Sequence, residues 1–145
     1  MKRVLFDSDV LLDVLLERQP FVTQSAKALN WATLPGNEGM VAAHAITNMF
    51  YILRRKVNRE AAMRLLLTIA ILLTVASITQ AVIDSALRSS MTDFEDAVTS
   101  AAASFSEAGV LITRNGSDFK NSLIPALSPR EVLDTLSNSE PEIKL

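Results

Sequence analysis

Acidic residues that follow a short apolar run are the feature of this sequence most able to do chemistry. The apolar residues 4–6 lead directly into Asp7-Ser8-Asp9, and an apolar helical pattern follows. A short apolar run is typical of a buried strand, and open α/β sheets bind their ligands at the carboxyl ends of their strands. Later acids stand near predicted helix starts and strand ends, and these are Asp93, Glu95, Asp96 and Asp118. We therefore expect several carboxylates to converge on Asp7 at one edge of a sheet.

Such a cluster favours a divalent cation. Carboxylates in one place repel one another and raise one another's pKa, and oxygen ligands suit Mg²⁺ or Mn²⁺. Asp93 and Asp96 lie one helical turn apart, so both project from the same side of a helix start. A metal-activated water attacks phosphorus while the metal neutralises a phosphate oxygen. The acids thus predict metal-dependent hydrolysis of phosphodiester bonds, with Mg²⁺ or Mn²⁺ as the cofactor.

Most of these acids also have an ordinary structural interpretation. We expect Asp9 or Ser8 to cap the first helix, and Glu95 to complete a capping box that begins at Thr92. A favourable interaction with the helix dipole explains Asp93 about as well as a metal does. An ordinary turn would explain Asp118, and a solvated helix face would explain Asp13. Asp7 is harder to explain in this way, because a carboxylate that ends a buried strand needs a partner.

Catalysis by a nucleophilic side chain has weak support. The chain has no cysteine and one histidine, His44, so a thiolate nucleophile is excluded and a histidine base has no second histidine beside it. Ser8 has no histidine or lysine near it in sequence that would activate its hydroxyl group. No glycine-rich phosphate loop is present. Because nucleophilic side chains and a phosphate loop lack support, the acidic residues are the candidate catalytic residues.

Strands alternate with helices along the chain. Strands are predicted over residues 4–6, 40–43, 75–78 and 110–112, with a short edge strand at Ile124. Helices are predicted from residue 8 or 9 to 17, over 23–32, 45–55, 58–73 and 80–88, from 92 to near 109, and from a capping box at 128–131. Residues 34–39 are predicted to form a loop because they contain Pro and Gly. This alternation favours a parallel sheet with helices on both faces, in a single domain over residues 1–145 whose residues 137–145 form a frayed tail.

Composition narrows the class of protein. An apolar fraction of 49% and 145 residues are enough for one domain with a core. The net charge of −2 gives no basic footprint for nucleic acid, although a metal ion supplies positive charge locally. Residues 65–83 carry no charge and approach the length of a membrane span, but polar residues interrupt them. We interpret them as a buried helix followed by a strand, and expect a cytoplasmic protein without membrane association.

Three motifs occur in the order that is found in a known family. Residues 5–13 form an apolar strand, an Asp-Ser-Asp element and an apolar helix; residues 93–97 place acids early in a helix; residues 112–119 give a strand, Thr-Arg-Asn and Asp-Phe. Residues 125–129, just before the last predicted helix, match as well. In combination these motifs are specific, and the chain resembles the PIN-domain family. That family comprises metal-dependent ribonucleases, many of them bacterial toxins of toxin–antitoxin pairs.

The resemblance implies both a fold and a site. The fold is a three-layer α/β/α sandwich with a central parallel sheet of four to five strands. The metal ligands and catalytic residues would be Asp7, Asp96 and Asp118, with Asp93 as a further candidate ligand. Supporting roles would fall to Ser8, Asp9, Asn48, Thr113 and Asn115, and Arg114 would hold a phosphate of the RNA substrate. By the same analogy we expect a homodimer and an antitoxin partner that inserts a segment over the acidic edge.

Two positions depart from the family pattern and keep other hypotheses open. Asn48 stands where a helix glutamate is usual, and Asn115 stands where an acid is usual after Thr-Arg; both changes remove charge and should weaken metal binding. A second hypothesis is therefore a catalytically weak module that binds RNA or a protein partner. A third is a small α/β phosphatase with Asp7 as nucleophile and Asp9 as acid, for which Lys120 is the only plausible lysine.

Overall fold

A computed structural model describes residues 2–137 of the chain. Its strands form one parallel sheet in the order β3-β2-β1-β4-β5. The strands are β1 (Lys2–Phe6), β2 (Asn37–Ala42), β3 (Thr74–Ala76), β4 (Val110–Ile112) and β5 (Ala126–Leu127). The helices are α1 (Ser8–Leu15), α2 (Val22–Ala32), α3 (Ala43–Leu53), α4 (Arg59–Leu72), α5 (Gln80–Leu87), α6 (Phe94–Phe105) and α7 (Pro129–Val132). The predicted α/β/α sandwich with a parallel sheet is confirmed.

Strand β1 lies at the centre of the sheet. It pairs with β2 on one side and with β4 on the other, and Val4, Leu5 and Phe6 are fully buried. A strand buried on both faces is expected to be a continuous apolar run rather than an alternating one. Because all five strands are parallel, the residues that follow β1, β4 and β5 meet at one edge, which we call the carboxyl edge.

The start of β2 differs from its prediction. The strand begins at Asn37 and includes Gly39, although residues 34–39 were expected to form a loop. A Cβ atom on Gly39 would lie 2.6 Å from Cδ2 of Leu73 and 3.2 Å from Cβ of Ala32. The glycine therefore marks a place where helices approach the strand closely, which is a recognised use of glycine inside a sheet.

Other boundaries shift by a few residues. Strand β3 ends at Ala76, two residues before its predicted end, and the edge strand β5 covers residues 126–127 instead of Ile124. The register of β5 is set by its pairing with β4, because the backbone N–H groups of Leu111 and Thr113 donate to the carbonyls of Pro125 and Leu127. Helix α3 begins two residues early, and α6 ends at Phe105 rather than near Gly109.

Helix α4 is not buried all round, contrary to its prediction. Ala62, Leu66 and Ile69 face the core, whereas Met63, Leu67, Ile71 and Leu72 are exposed. Within residues 2–137, no helix is both long enough and apolar enough to cross a membrane. The uncharged stretch is instead divided between α4, β3 and α5. Of the predicted tail, residues 138–145 lie outside the described part of the chain.

Candidate active site

Asp7 is held at the junction of β1 and β4. Its backbone N–H donates to the carbonyl of Ile112, and its Oδ2 accepts the hydroxyl proton of Thr113 over 2.9 Å. Its Oδ1 accepts from the backbone N–H of Ser8, also over 2.9 Å. Asp7 therefore occupies the N-cap position of α1 with extended backbone angles. The prediction that Asp9 or Ser8 caps this helix is wrong, because the residue that ends the strand already fills that position.

Asp9 instead connects α1 to the loop after β4. Its Oδ2 accepts from the side-chain amide of Asn115 over 2.7 Å and from the backbone N–H of Arg114 over 3.3 Å. Its Oδ1 is buried and has no hydrogen-bond partner among residues 2–137. The amide of Asn115 thus holds an acid in place, and Asp9 keeps one acceptor without a donor.

Asp13 forms a buried ion pair with Arg114. The carboxylate is completely buried, and it accepts from Nε of Arg114 over 2.6 Å and from Nη2 over 3.1 Å. Ser25 donates its hydroxyl proton to the same carboxylate, and the guanidinium of Arg18 lies 3.8 Å away. The expectation of a solvated Asp13 is therefore wrong. A buried carboxylate persists when it is paired and hydrogen-bonded.

This pair changes the interpretation of Arg114. Its guanidinium lies 3.9 Å from the ring centroid of Phe21, in addition to its two bonds to Asp13. The sequence predicts that Arg114 holds a substrate phosphate, but the structure directs its Nε and one terminal nitrogen at Asp13. A bidentate carboxylate occupies the same fork of donors that a phosphate would need.

The acids of α6 open onto a cavity at the carboxyl edge. Asp93 is the N-cap residue, and its Oδ1 accepts from the backbone N–H of Asp96 over 2.9 Å. The predicted capping box from Thr92 to Glu95 is therefore wrong by one residue, because Asp93 itself is a good N-cap. Asp93, Asp96 and Asp118 line a cavity of about 410 Å³ together with Lys120.

Electrostatic interactions link these acids to Asp7. Burial raises the pKa of Asp7 to about 7, with further contributions from Asp9 and Asp96 and opposition from the Thr113 hydrogen bond. Burial likewise raises the pKa of Asp96 to about 6, and Asp93, Asp118, Glu95 and Asp9 add to the shift. Burial also raises the pKa of Asp9, while the Arg114 guanidinium opposes that rise. Acids from β1, α1, α6 and the loop after β4 thus share one region.

Helix α3 contributes a histidine to the neighbourhood of α6. Nε2 of His44 lies 3.2 Å from Oγ1 of Thr99, whose hydroxyl donates to the carbonyl of Glu95. Burial lowers the pKa of His44. Asn48 lies one turn further along the helix and is half-buried, outside the hydrogen-bond network that joins Asp7, Asp9 and Asn115.

The donor set fits a hard cation that keeps part of its hydration. In residues 2–137 no three His, Asp or Glu side chains are grouped closely enough to hold a metal ion by themselves. Mg²⁺ usually binds through one or two carboxylates, with waters and substrate phosphates as the remaining ligands. Asp7 and Asp96 are the two acids that we expect to act as such a pair, since the charge of Asp96 raises the pKa of Asp7, and Oδ1 of Asp9 is a buried acceptor without a donor.

Sequence comparison identifies a family model. A model described as PIN domain matches residues 3–117. A search of curated proteins finds no significant match.

Solved structures share the fold at low sequence identity. A toxin–antitoxin complex from Klebsiella pneumoniae is 21% identical with a TM-score of 0.67, over 87% of this chain and 97% of that one. DNA-bound VapBC from Salmonella typhimurium is 12% identical with a TM-score of 0.70, over 89% and 99%. VapC20 from Mycobacterium tuberculosis, a toxin that cleaves the sarcin–ricin loop, is 15% identical with a TM-score of 0.60, over 74% and 86%. At these identities the likeness establishes the fold.

Replacing the buried acid by its amide tests the ion pair. We expect Asp13→Asn to lower the free energy of unfolding by about 3 kcal/mol, because it leaves Arg114 without its counter-charge. Denaturant unfolding measures the change. The matched control is Glu107→Gln, which breaks the ion pair of Glu107 with Arg3, and Glu107 is 81% exposed. That control should change stability by less than about 1 kcal/mol. Equal effects of the two substitutions would contradict the assigned role of Asp13.

The raised pKa of Asp7 predicts a pH-dependent stability. Since this pKa rises from 3.8 to about 7 on folding, the folded state binds more protons between about pH 4 and pH 7, and stability falls as pH rises through that window. Without divalent metal, Asp7→Asn should therefore be more stable than the wild type at pH 8, by on the order of 1 kcal/mol.

At about pH 4 the stability gain of Asp7→Asn should shrink towards zero, because Asp7 is then protonated in the folded wild type. Thermal unfolding in EDTA at the two pH values measures both differences. Asp84→Asn, on the exposed face of α5, is the control and should show no such dependence. A gain for Asp7→Asn that is the same at both pH values would contradict the shifted titration.

Proposed function

Since this chain belongs to the PIN-domain family, we propose that it is a metal-dependent ribonuclease that hydrolyses phosphodiester bonds of RNA. The observation that carries the proposal is the pair Asp7 and Asp96, which come from different elements and whose pKa values are raised by burial and by neighbouring acids. Carboxylates with raised pKa values are candidates for functional sites, and Asp96 also lines the cavity at the start of α6. The sarcin–ricin loop cleavage by VapC20 supports RNA as the substrate class.

A bound Mg²⁺ or Mn²⁺ supplies activation of water and neutralisation of phosphate charge. Asp7 and Asp96 would hold the ion, and Asp118 and Asp93 would add negative charge from the adjoining cavity. The Thr113 hydroxyl and the Ser8 N–H fix both oxygens of Asp7, so the orientation of this carboxylate is set before a ligand binds. Asn115 and the Arg114 backbone do the same for Asp9, whose second oxygen stays available to orient a water.

A protein partner is the second part of the proposal. Complexes of toxin with antitoxin are among the solved structures that share this fold. Helices α3 and α4 carry apolar side chains that residues 2–137 leave exposed, namely Tyr51, Met63, Leu67, Ile71 and Leu72. Exposed apolar surface of this kind supports contact with another protein. We propose an antitoxin and a second copy of the chain as its partners, in the cytoplasm.

A catalytically weak module is the alternative function. Asn48 and Asn115 replace acids of the family pattern, and within the described residues no group of three acids is close enough to hold a metal alone. Because the amide of Asn115 donates to Asp9, it holds that acid in place instead of adding charge to the site. A protein of this design would bind RNA or a partner with little turnover.

Cleavage of a labelled single-stranded RNA tests the proposal. We expect cleavage with Mn²⁺, loss of cleavage with EDTA, and a loss of at least about 100-fold in kcat/KM for Asp7→Asn, because second-sphere changes alone cost 10–100-fold. Asp84→Asn removes an acid on α5 and should retain the wild-type rate. RNA binding without cleavage in any divalent metal would instead support the weak module. Turnover of a phosphomonoester through a trapped aspartyl-phosphate would favour the phosphatase hypothesis.

Restoring an acid on α3 tests the role of Asn48. We expect Asn48→Glu to tighten Mn²⁺ binding severalfold, because it returns a carboxylate to the position where the family pattern has a helix glutamate. Isothermal titration calorimetry measures the affinity. Thr47→Glu adds the same charge at the adjacent, exposed position of α3 and should have a smaller effect. If the two variants bind Mn²⁺ equally, Asn48 does not occupy a position next to the ion.

A further inference from the structure

A second cavity, of about 480 Å³, opens at the carboxyl edge. Its walls come from the turn before α2, from the loop after β4 and from the start of α7. Arg114 lines this cavity, and its backbone N–H donates to Asp9 in the candidate active site. Arg114 therefore belongs both to the candidate active site and to a second cavity that contains none of the candidate metal ligands.

Apolar side chains form part of the wall of this cavity. Phe21 is 39% exposed, and the Arg114 guanidinium lies 3.9 Å from its ring centroid. The exposed Pro20 adds apolar surface, and Pro129, although buried, also lines the cavity. Aromatic rings and guanidinium planes are the surfaces on which unstacked bases of RNA pack. Gln24 is half-buried in the same wall, and its side-chain amide carries both donors and an acceptor for a base edge.

This cavity differs in charge from the acidic cavity at the start of α6. The residues that line it include Arg114 and Arg130 but no acid, whereas three acids line the neighbouring cavity of α6. The Arg130 side chain is 79% exposed, and it reaches Asp134 only at 3.9 Å within the same helical turn. Exposed pairs of that kind contribute little, so Arg130 offers positive charge at the rim. An apolar cavity with a cationic rim complements a flat, uncharged base attached to a phosphate.

From this geometry we infer that the cavity between α2 and α7 binds a nucleobase of single-stranded RNA, next to the phosphate at the acidic edge. The inference rests on the proposed function for the placement of that phosphate. Phe21 and Pro20 contact the base, Gln24 hydrogen-bonds its edge, and Arg130 attracts the backbone of the strand. The site selects unpaired RNA, because a base inside a duplex has no exposed face.

Binding of nucleotides to the full-length protein tests the chemical class of ligand. Each of AMP, CMP, GMP and UMP is titrated into ¹⁵N-labelled wild type, with ribose 5-phosphate as the probe that lacks a base. We expect saturable shifts of the Phe21 and Gln24 amide signals with at least one nucleotide, and none with ribose 5-phosphate. Equal shifts with ribose 5-phosphate, or none with any nucleotide, would overturn the inference.

Binding of a labelled RNA hexamer tests the residues. With Asp7→Asn as the non-cleaving background, we expect Phe21→Leu to weaken affinity about tenfold, which is within the range for loss of one stacked base. Gln24→Leu should alter the preference among bases. Phe105→Leu is the matched control, because it removes a ring that is 55% exposed at the far end of α6, and it should bind as the background does.

The outcomes separate this inference from the proposed function. Phe21-dependent binding without cleavage by the wild type would leave the nucleobase site standing and overturn the nuclease. Cleavage that Phe21→Leu leaves unchanged in KM and kcat would overturn the site and leave the nuclease. Equal RNA affinity in Phe21→Leu and Phe105→Leu would also overturn it, and a partner peptide that protects Phe21 would then be the occupant.

Discussion

Thr113 donates its hydroxyl proton to Asp7 across the junction of β1 and β4, and the Asp7 backbone N–H donates to Ile112 at the same place. These two bonds lock the end of the central strand to the loop that carries Arg114 and Asn115. The backbone N–H of Asn115 in turn donates to the Thr113 hydroxyl. Because each group is bound by the next, the position of Asp7 depends on parallel pairing of β1 with β4. The candidate site is thus a consequence of the sheet topology.

The charges at this junction are balanced unevenly. Asp13 receives two bonds from Arg114, with Arg18 close by, whereas Asp7 and Asp96 have acids as their charged neighbours. A fold selected for stability alone would distribute its cations differently, since uncompensated buried acids lower stability at neutral pH. Buried acids without a nearby cation persist where function requires them. The contrast between the compensated and uncompensated acids distinguishes the structural carboxylate from those available to a ligand.

The sequence predicts the parallel sheet, the place of Asp7 at a strand end and the capping box at Ser128, because each depends on local pattern. It fails for Asp13, whose partner Arg114 lies 101 residues away. Both residue types are usually exposed, so no local signal shows that they are buried together. The cap of α6 moves from Thr92 to Asp93 because neighbouring polar residues compete for one position. The sequence names Asp9 as a supporting residue, but no local pattern shows that it binds Asn115 and Arg114, because both follow β4.

The proposed function pairs the acids of the carboxyl edge with a substrate class that is itself anionic. In the absence of a cation, Asp7, Asp9, Asp96 and Asp118 repel phosphate, and the whole chain has a net charge of −2. A bound divalent ion becomes the largest local charge and inverts that potential. In the proposed nuclease, metal and RNA would therefore bind with positive coupling, and each would raise the affinity of the other by the same factor. In the proposed function, the divalent ion is therefore needed for RNA binding as well as for hydrolysis. A site with fewer acids would bind the ion more weakly, and it would lose RNA affinity and hydrolysis together.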